Sequence, residues 1–186
     1  MKKWLLMLSL LMAGCASEQA VQSRQYLLPD HPTEAKALQT SPLLIVKTDL
    51  SDYLNQSGVI YRLSEAEVIQ AKNNQWAEGI KQQLTQKIIK DLRAKQRIYW
   101  PVEFNSVLEL DARKQLYVRL QKFNGVYTGV AEIAGEWLLV DQDGGILRNE
   151  YFQIEVPLKQ EGYDSLIASL SEGVEQLTDL LAKQIK

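Results

Sequence analysis

The 186-residue chain carries 21 Lys and Arg against 23 Asp and Glu, for a formal net charge of -2, and is 46% hydrophobic and 24% charged. That composition fits one globular domain with an ample core, and so mild a negative charge supplies no electrostatic reason to bind nucleic acid. One cysteine and one histidine exclude an internal disulfide framework and leave Ser–His–Asp or Cys–His catalysis without an obvious seat.

In chain order, Lys2 and Lys3 form a positive start, Trp4 to Met12 is a short apolar run, and Ala13-Gly14-Cys15 supplies a small-residue cleavage site. The run is shorter than the roughly 20 residues a membrane-spanning helix needs, so residues 1–14 are expected to be a signal peptide. Cysteine directly after Ala-Gly resembles a bacterial lipobox, although Met12 stands where Leu is usual. Cleavage between Gly14 and Cys15 then leaves Cys15 as a diacylated and N-acylated (palmitate-bearing) first residue. The alternative is an ordinary secretory signal with an incidental cysteine. Several acyl chains anchor durably where one does not. Ala16 rather than Asp follows the cysteine, which by resemblance to diderm lipoproteins implies the periplasmic face of the outer membrane. Loss of residues 1–14 leaves 172 residues and 19 basic groups against 23 acidic ones, a balance of -4.

Residues 15–23 read as a lipidated start and a small, polar linker. At about 3.3 Å per residue, the eight positions 16–23 reach roughly 26 Å. Residues 24–186 are expected to form one domain. Tyr26–Pro29 is a short strand and Asp30–Pro42 a Pro-rich loop. Leu43–Thr48 and Val59–Arg62 are strands, with Glu67–Ala71 a hairpin partner to the second. Asn73-Asn74 is the expected cap of a helix over Gln75–Ala94. Its stripe is Trp76, Ile80, Leu84, Ile88 and Leu92, and Gln82, Gln83, Lys87, Lys90 and Asp91 lie away from it, toward solvent or a neighbouring subunit.

Arg97–Val102 is strand-like, and the stretch to Leu110 less regularly so. Leu116, Val118 and Leu120 alternate with polar residues as in a half-buried strand. Phe123-Asn124-Gly125 is a turn or bulge, and a strand over Tyr127–Val140 follows, placing Ala131, Ile133, Trp137 and Leu139 on one face. Gly135 within it signals close backbone approach. Asp141–Gly145 turns the chain into Ile146–Val156, and a last amphipathic helix opens at Gly162 or Asp164 and runs to Ile185. The expected fold is α+β, a mainly antiparallel sheet with two long amphipathic helices packed on it as a two-layer single domain.

Little here carries chemistry. His31 falls in the Pro-flanked loop and reads as solvated. No cluster has metal-ligand spacing, no cofactor is implied, and Asp143-Gly144-Gly145 is a hairpin signal rather than a phosphate loop. Glu132, Glu136 and Glu150 read as solvent-facing partners of the buried strand residues rather than as paired carboxylates. Tyr117 and Tyr127, with Phe123 in the turn between them, are candidate partner contacts because aromatics are enriched in interface cores. Their alternative is ordinary cross-strand pairing on a wet face.

Several stretches taken together resemble the auxiliary lipoproteins of envelope lipid-transport systems. They are Tyr26–Pro29, Asp52-Tyr53-Leu54 with Gly58–Tyr61, Asn73–Ala77, Phe123–Gly125 with Tyr127 and Gly129, Gly135–Leu139, and Gly162-Tyr163-Asp164, with the lipobox in front. Gln75 and the Gln-Glu before Gly162 depart from the usual pattern. The resemblance implies a non-enzymatic outer-membrane partner of a PqiB-like MCE-domain protein, whose rings and helical needle form a tunnel for phospholipid across the periplasm. It also implies a ring-like homo-oligomer. Two other classes stay open: an assembly or activator lipoprotein for another envelope protein, and a carrier that itself holds a lipid on the periplasmic face.

Overall fold

The computed structural model describes residues 22–30, 35, 40–105 and 114–185. The expected signal peptide, Gly14, Cys15, most of the linker, His31 and residues 106–113 lie outside them. Ten elements follow one another: β1 (Arg24–Tyr26), β2 (Leu43–Leu50), β3 (Gly58–Arg62), β4 (Val68–Trp76), α1 (Ile80–Lys95), β5 (Trp100–Glu103), β6 (Lys114–Val126), β7 (Val130–Asp141), β8 (Ile146–Pro157) and α2 (Tyr163–Gln184).

The strands form one eight-stranded sheet organised on β6. One edge of β6 pairs antiparallel with β7 along its whole length, and β7 pairs in turn with β8. The other edge is shared: β2 runs parallel to Leu44–Leu50's partners Lys114–Leu120, and β3 runs parallel to Gly125–Val126. Thus β2 and β3 lie end to end beside one strand. Outside them, β5 extends β2, and β4 then β1 extend β3.

The sheet is mixed, which corrects the expectation of a mainly antiparallel one. Among the described residues four of the seven pairings are parallel: β1–β4, β2–β5, β2–β6 and β3–β6. The reason is physical. Antiparallel neighbours are joined by tight turns with a local composition, whereas parallel neighbours are brought together by crossovers that leave no local sign.

One face of the sheet is covered by α1, which packs on β2 and β5, and by α2, which packs on β7 and β8. Beneath them lie Val46, Leu116, Val118, Leu120, Ala131, Ile133, Trp137 and Leu139, all buried. The inward set of β6 changes parity midway, because the register slips between Leu120 and Lys122. One extra residue there forms a bulge, so even positions point inward before it and Phe123 points inward after it. Gly135 sits opposite Leu120, and a Cβ on it would come within 2.0 Å of the Arg119 carbonyl oxygen, so the close approach expected there is real.

The first helix begins later than its periodicity predicts. Asn73 and Asn74 lie within β4, not at a helix cap: the strand continues through Trp76 because Asn74–Trp76 pair with β1 and Gln75 with β3, and Gly79 precedes the first helical turn. Trp76 remains a core residue, its ring 6.1 Å from that of Phe123. The polar flank of α1 faces solvent only in part: Gln82 is exposed and Lys90 half-buried, but Gln83 and Lys87 are buried. Lys87 is buried against α2, its Nζ 3.2 Å from Glu175 and 3.5 Å from Asp91, and Gln83 accepts a 2.8 Å hydrogen bond from the Leu28 backbone N–H. The neighbour of Lys87 and Asp91 is the chain's own second helix.

Candidate functional site

Buried charge comes first, because it marks catalytic sites and structural networks alike. In the seam between the helices the buried charge is Lys87, and at the seam's exposed rim Lys95 reaches Asp179 at 2.9 Å and Thr178 at 2.9 Å. The Asp91 carboxyl there is held above its ordinary range, as burial outweighs the pull of Lys87 and Lys95. On the face without helices, Glu132 is only 5% exposed, between Lys122 Nζ at 2.6 Å and Arg62 Nε at 3.9 Å. This corrects the expectation of a solvent-facing Glu132: the sequence shows the strand parity but not the cations that fold over it. Glu150 lies on the helix-covered face, opposite Trp137, where it pairs with Arg148 at 2.8 Å and accepts from Gln184. Glu136 is half-buried on the other face. The three carboxylates therefore do not converge. Among the described residues no group of three His, Cys, Asp or Glu is arranged to hold a metal.

What remains are surfaces, and the topology sorts them by end. β1 runs parallel to β4, with Arg24 beside Asn74 and Tyr26 beside Trp76. β4 starts at Val68, opposite Arg62, where β3 finishes beside Val126 of β6. The chain ahead of Arg24 thus approaches from the end of the sheet at which β3 and β6 terminate. Arg24 is held there by Asp164, 3.6 Å away in the first turn of α2.

At this same end lies an open cleft of about 510 Å³, lined by Tyr61, Tyr127, Leu158, Tyr163 and Leu166 among others. The turn after β6 forms its lip: Gly129 takes φ 84, a value costly to residues with a Cβ, and its carbonyl accepts a 3.0 Å hydrogen bond from Leu158 N–H. Tyr127 on that lip is 51% exposed. Tyr61 donates its hydroxyl to the Val126 carbonyl at 3.1 Å. Burial raises the Tyr163 phenol above its usual range, and the neighbouring Tyr26 and Tyr61 push the same way.

At the opposite end, Asp141 Oδ1 ties the β7–β8 turn by accepting from the backbone N–H of Asp143 at 3.0 Å and of Gly145 at 2.7 Å. Next to it Ile146 is 68% exposed, with Leu147 and, before β5, Ile98 also largely in solvent. Between the two ends, the helix-free face carries a groove of about 490 Å³ along Lys47, Tyr117, Arg119, Glu136 and Leu138. Lys47 Nζ lies 4.1 Å from the Phe104 ring centroid and bonds the Tyr117 hydroxyl at 3.2 Å.

The three aromatics singled out in the sequence are therefore dispersed. Tyr117 belongs to the groove, Tyr127 to the cleft, and Phe123 is 4% exposed in the core, because the turn lies at residues 127–129 and the bulge directs Phe123 inward. Cys15 and Gly14 lie outside the described residues. Local pattern does not mark Tyr61 and Tyr163 as site residues, yet the sequence carries a signal for them. The stretches Gly58–Tyr61, Tyr127 with Gly129, and Gly162-Tyr163-Asp164, each part of the family resemblance, come together at the cleft.

Residues 26–182 match the protein family described as the ABC-type transport auxiliary lipoprotein component. Over 190 aligned positions the chain is 34% identical to the intermembrane transport lipoprotein PqiC of Escherichia coli (strain K12), and equally to that of Shigella flexneri, covering 100% of this chain and 98% of each relative. The fold is similar to the crystal structure of an uncharacterized protein, 28% identical, with a TM-score of 0.75 over 89% of this chain and 99% of that one. Protein XCC0632 from Xanthomonas campestris, 14% identical, shares the fold, with a TM-score of 0.69 over 88% of this chain and 92% of its own.

Proposed function

The chain belongs to the family of ABC-type transport auxiliary lipoprotein components, and on that premise we propose that it is the outer-membrane lipoprotein of an intermembrane lipid transport system. Lipid on Cys15 holds it to the periplasmic face of the outer membrane, and the folded domain receives the tip of a tunnel built by a PqiB-like MCE-domain protein, so that phospholipid crosses without any bond being made or broken here. The observation that carries this reading is a likeness running the whole length of the chain to proteins named as intermembrane transport lipoproteins. That its relatives are named for transport and not for catalysis fits a role as a connector.

The two-ended layout supports the same reading. β6 is 13 residues long, which at about 3.3 Å per residue separates the ends by roughly 40 Å. The tethered end faces the membrane, and the end carrying Ile98, Ile146 and Leu147 faces the periplasm, where exposed aliphatic side chains gain most from a protein partner. Tethering also raises the effective concentration of that end at the tunnel's exit. Affinity purification of the lipidated protein from detergent-solubilised envelopes tests the reading. An MCE-domain protein is expected in the eluate. Recovery of an outer-membrane barrel or a cell-wall synthase instead would overturn it in favour of an assembly factor, and a stoichiometric lipid in place of any protein would favour a carrier.

A further inference from the structure

We propose that the tyrosine-lined cleft at the end of β3 and β6 is a second membrane contact, seated on the headgroup layer of the leaflet that holds the lipid anchor. The proposal deepens the anchoring of Cys15 and rests on it. Three observations lead to it. The chain ahead of Arg24 leaves toward this end, and the eight positions 16–23 reach at most roughly 26 Å, so this is the first part of the domain that the leaflet meets. Arg24 lies 3.6 Å from Asp164 at the start of α2, which places the exit beside the cleft.

The chemistry of the lining is the second observation. Tyr61, Tyr127 and Tyr163 are set among Leu158 and Leu166, and amphipathic rings with one apolar body and one polar tip are the side chains that settle at the membrane–water interface. Tyr127 stands in the turn that joins β6 to β7 and is 51% exposed. The third observation is charge. Glu161 is the charged residue lining the cleft, Arg24 beside it is paired with Asp164, and the β3–β4 turn at the same end adds Glu65 and Glu67, so no positive excess draws this end to anionic lipid and contact is by insertion of the rings into the headgroup region. Two points of attachment, a short tether and a ring cluster, fix the tilt of the domain where either alone leaves it free to swing.

The test uses the mature lipoprotein purified from envelopes and reconstituted in phosphatidylcholine vesicles. Acylation blocks Cys15, so a single new cysteine takes a fluorophore selectively. Thr128→Cys places it on the cleft's lip without removing a tyrosine, and Gln142→Cys places it on the opposite turn. Lipids carrying a nitroxide at the headgroup–acyl boundary are expected to quench the label at 128 at least fivefold more than the label at 142. Adding Tyr127→Ser to Thr128→Cys should lower that quenching, and replacing a third of the lipid with phosphatidylglycerol should leave it unchanged. A protein that floats with the vesicles yet is quenched equally at both positions, or only with anionic lipid, overturns the cleft contact while leaving the anchor intact. A parent protein that reacts with the fluorophore at Cys15 and fails to float overturns the anchor and the cleft contact together.

Discussion

The long β6–β7–β8 ladder is closed at its two ends by turns of opposite character. Near the start of the folded chain, Tyr127–Gly129 is a turn among tyrosines, side chains that join a polar hydroxyl to an apolar ring. At the far end, Asp141–Gly145 is tied by a carboxylate and flanked by the bare aliphatics Ile146 and Leu147. The first chemistry suits a boundary between water and lipid, where an amphipathic group is best satisfied. The second gains when another surface excludes water from it. One ladder thus carries two different demands for company, about 40 Å apart by its residue count.

The sharpest way to break the comparison is to remove what distinguishes the ends. Cys15→Ala should leave a folded domain, by circular dichroism and thermal melt, that disappears from the outer-membrane fraction; unchanged fractionation would defeat the lipid anchor. Next in size is Glu132→Ala beside the tyrosine end. It strands Arg62 and Lys122 without their carboxylate and should cost about 3 kcal/mol, the low end for a broken buried pair, because Lys122 keeps a third of its side chain in water. Urea titration reads this directly.

The far end gives a smaller but more selective effect. Ile146→Ser combined with Leu147→Ser should weaken capture of the MCE-domain protein about tenfold, or about 1.4 kcal/mol, with flotation and melting temperature untouched. The smallest expected effect belongs to neither end. In the seam between the helices the Asp91 carboxyl is raised by burial, so the folded state holds that proton more tightly than the unfolded one. Its contribution is favourable at low pH and is lost as pH rises through the folded-state value. Asp91→Asn should therefore gain stability relative to the parent at neutral pH, a gain that shrinks in melts taken toward pH 4.

Where the chain closes on itself locally, the residues alone reveal the structure. The Asp141–Gly145 turn, the inward run of Ala131, Ile133, Trp137 and Leu139, and the second helix from Gly162 onward are all found where local pattern puts them. Where distant segments meet, the pattern is silent. Nothing near Leu43 announces Lys114 as a neighbour, so the parallel pairings and the mixed sheet went unread. Helical periodicity through Trp76 is overridden because two flanking strands claim Asn74–Trp76 for the sheet. A single extra residue at the bulge turned Phe123 from an expected surface aromatic into a core one. The cleft was hidden for the same reason: Tyr61, Tyr127 and Tyr163 are neighbours only after β3 has been laid beside β6.

The first strand has a mechanical side. Any pull delivered through the residues ahead of Arg24 acts along the length of β1, so its bonds to Asn74–Trp76 are loaded together in shear and do not unzip one by one. Behind them the chain is clamped again: Tyr26 carbonyl takes the Ala77 N–H at 2.8 Å, Leu28 N–H reaches Gln83 at 2.8 Å, and Pro29 carbonyl takes the Ser171 hydroxyl at 2.7 Å. Force entering by the leash is handed to both helices within six residues, and the domain bears tension as a single solid body.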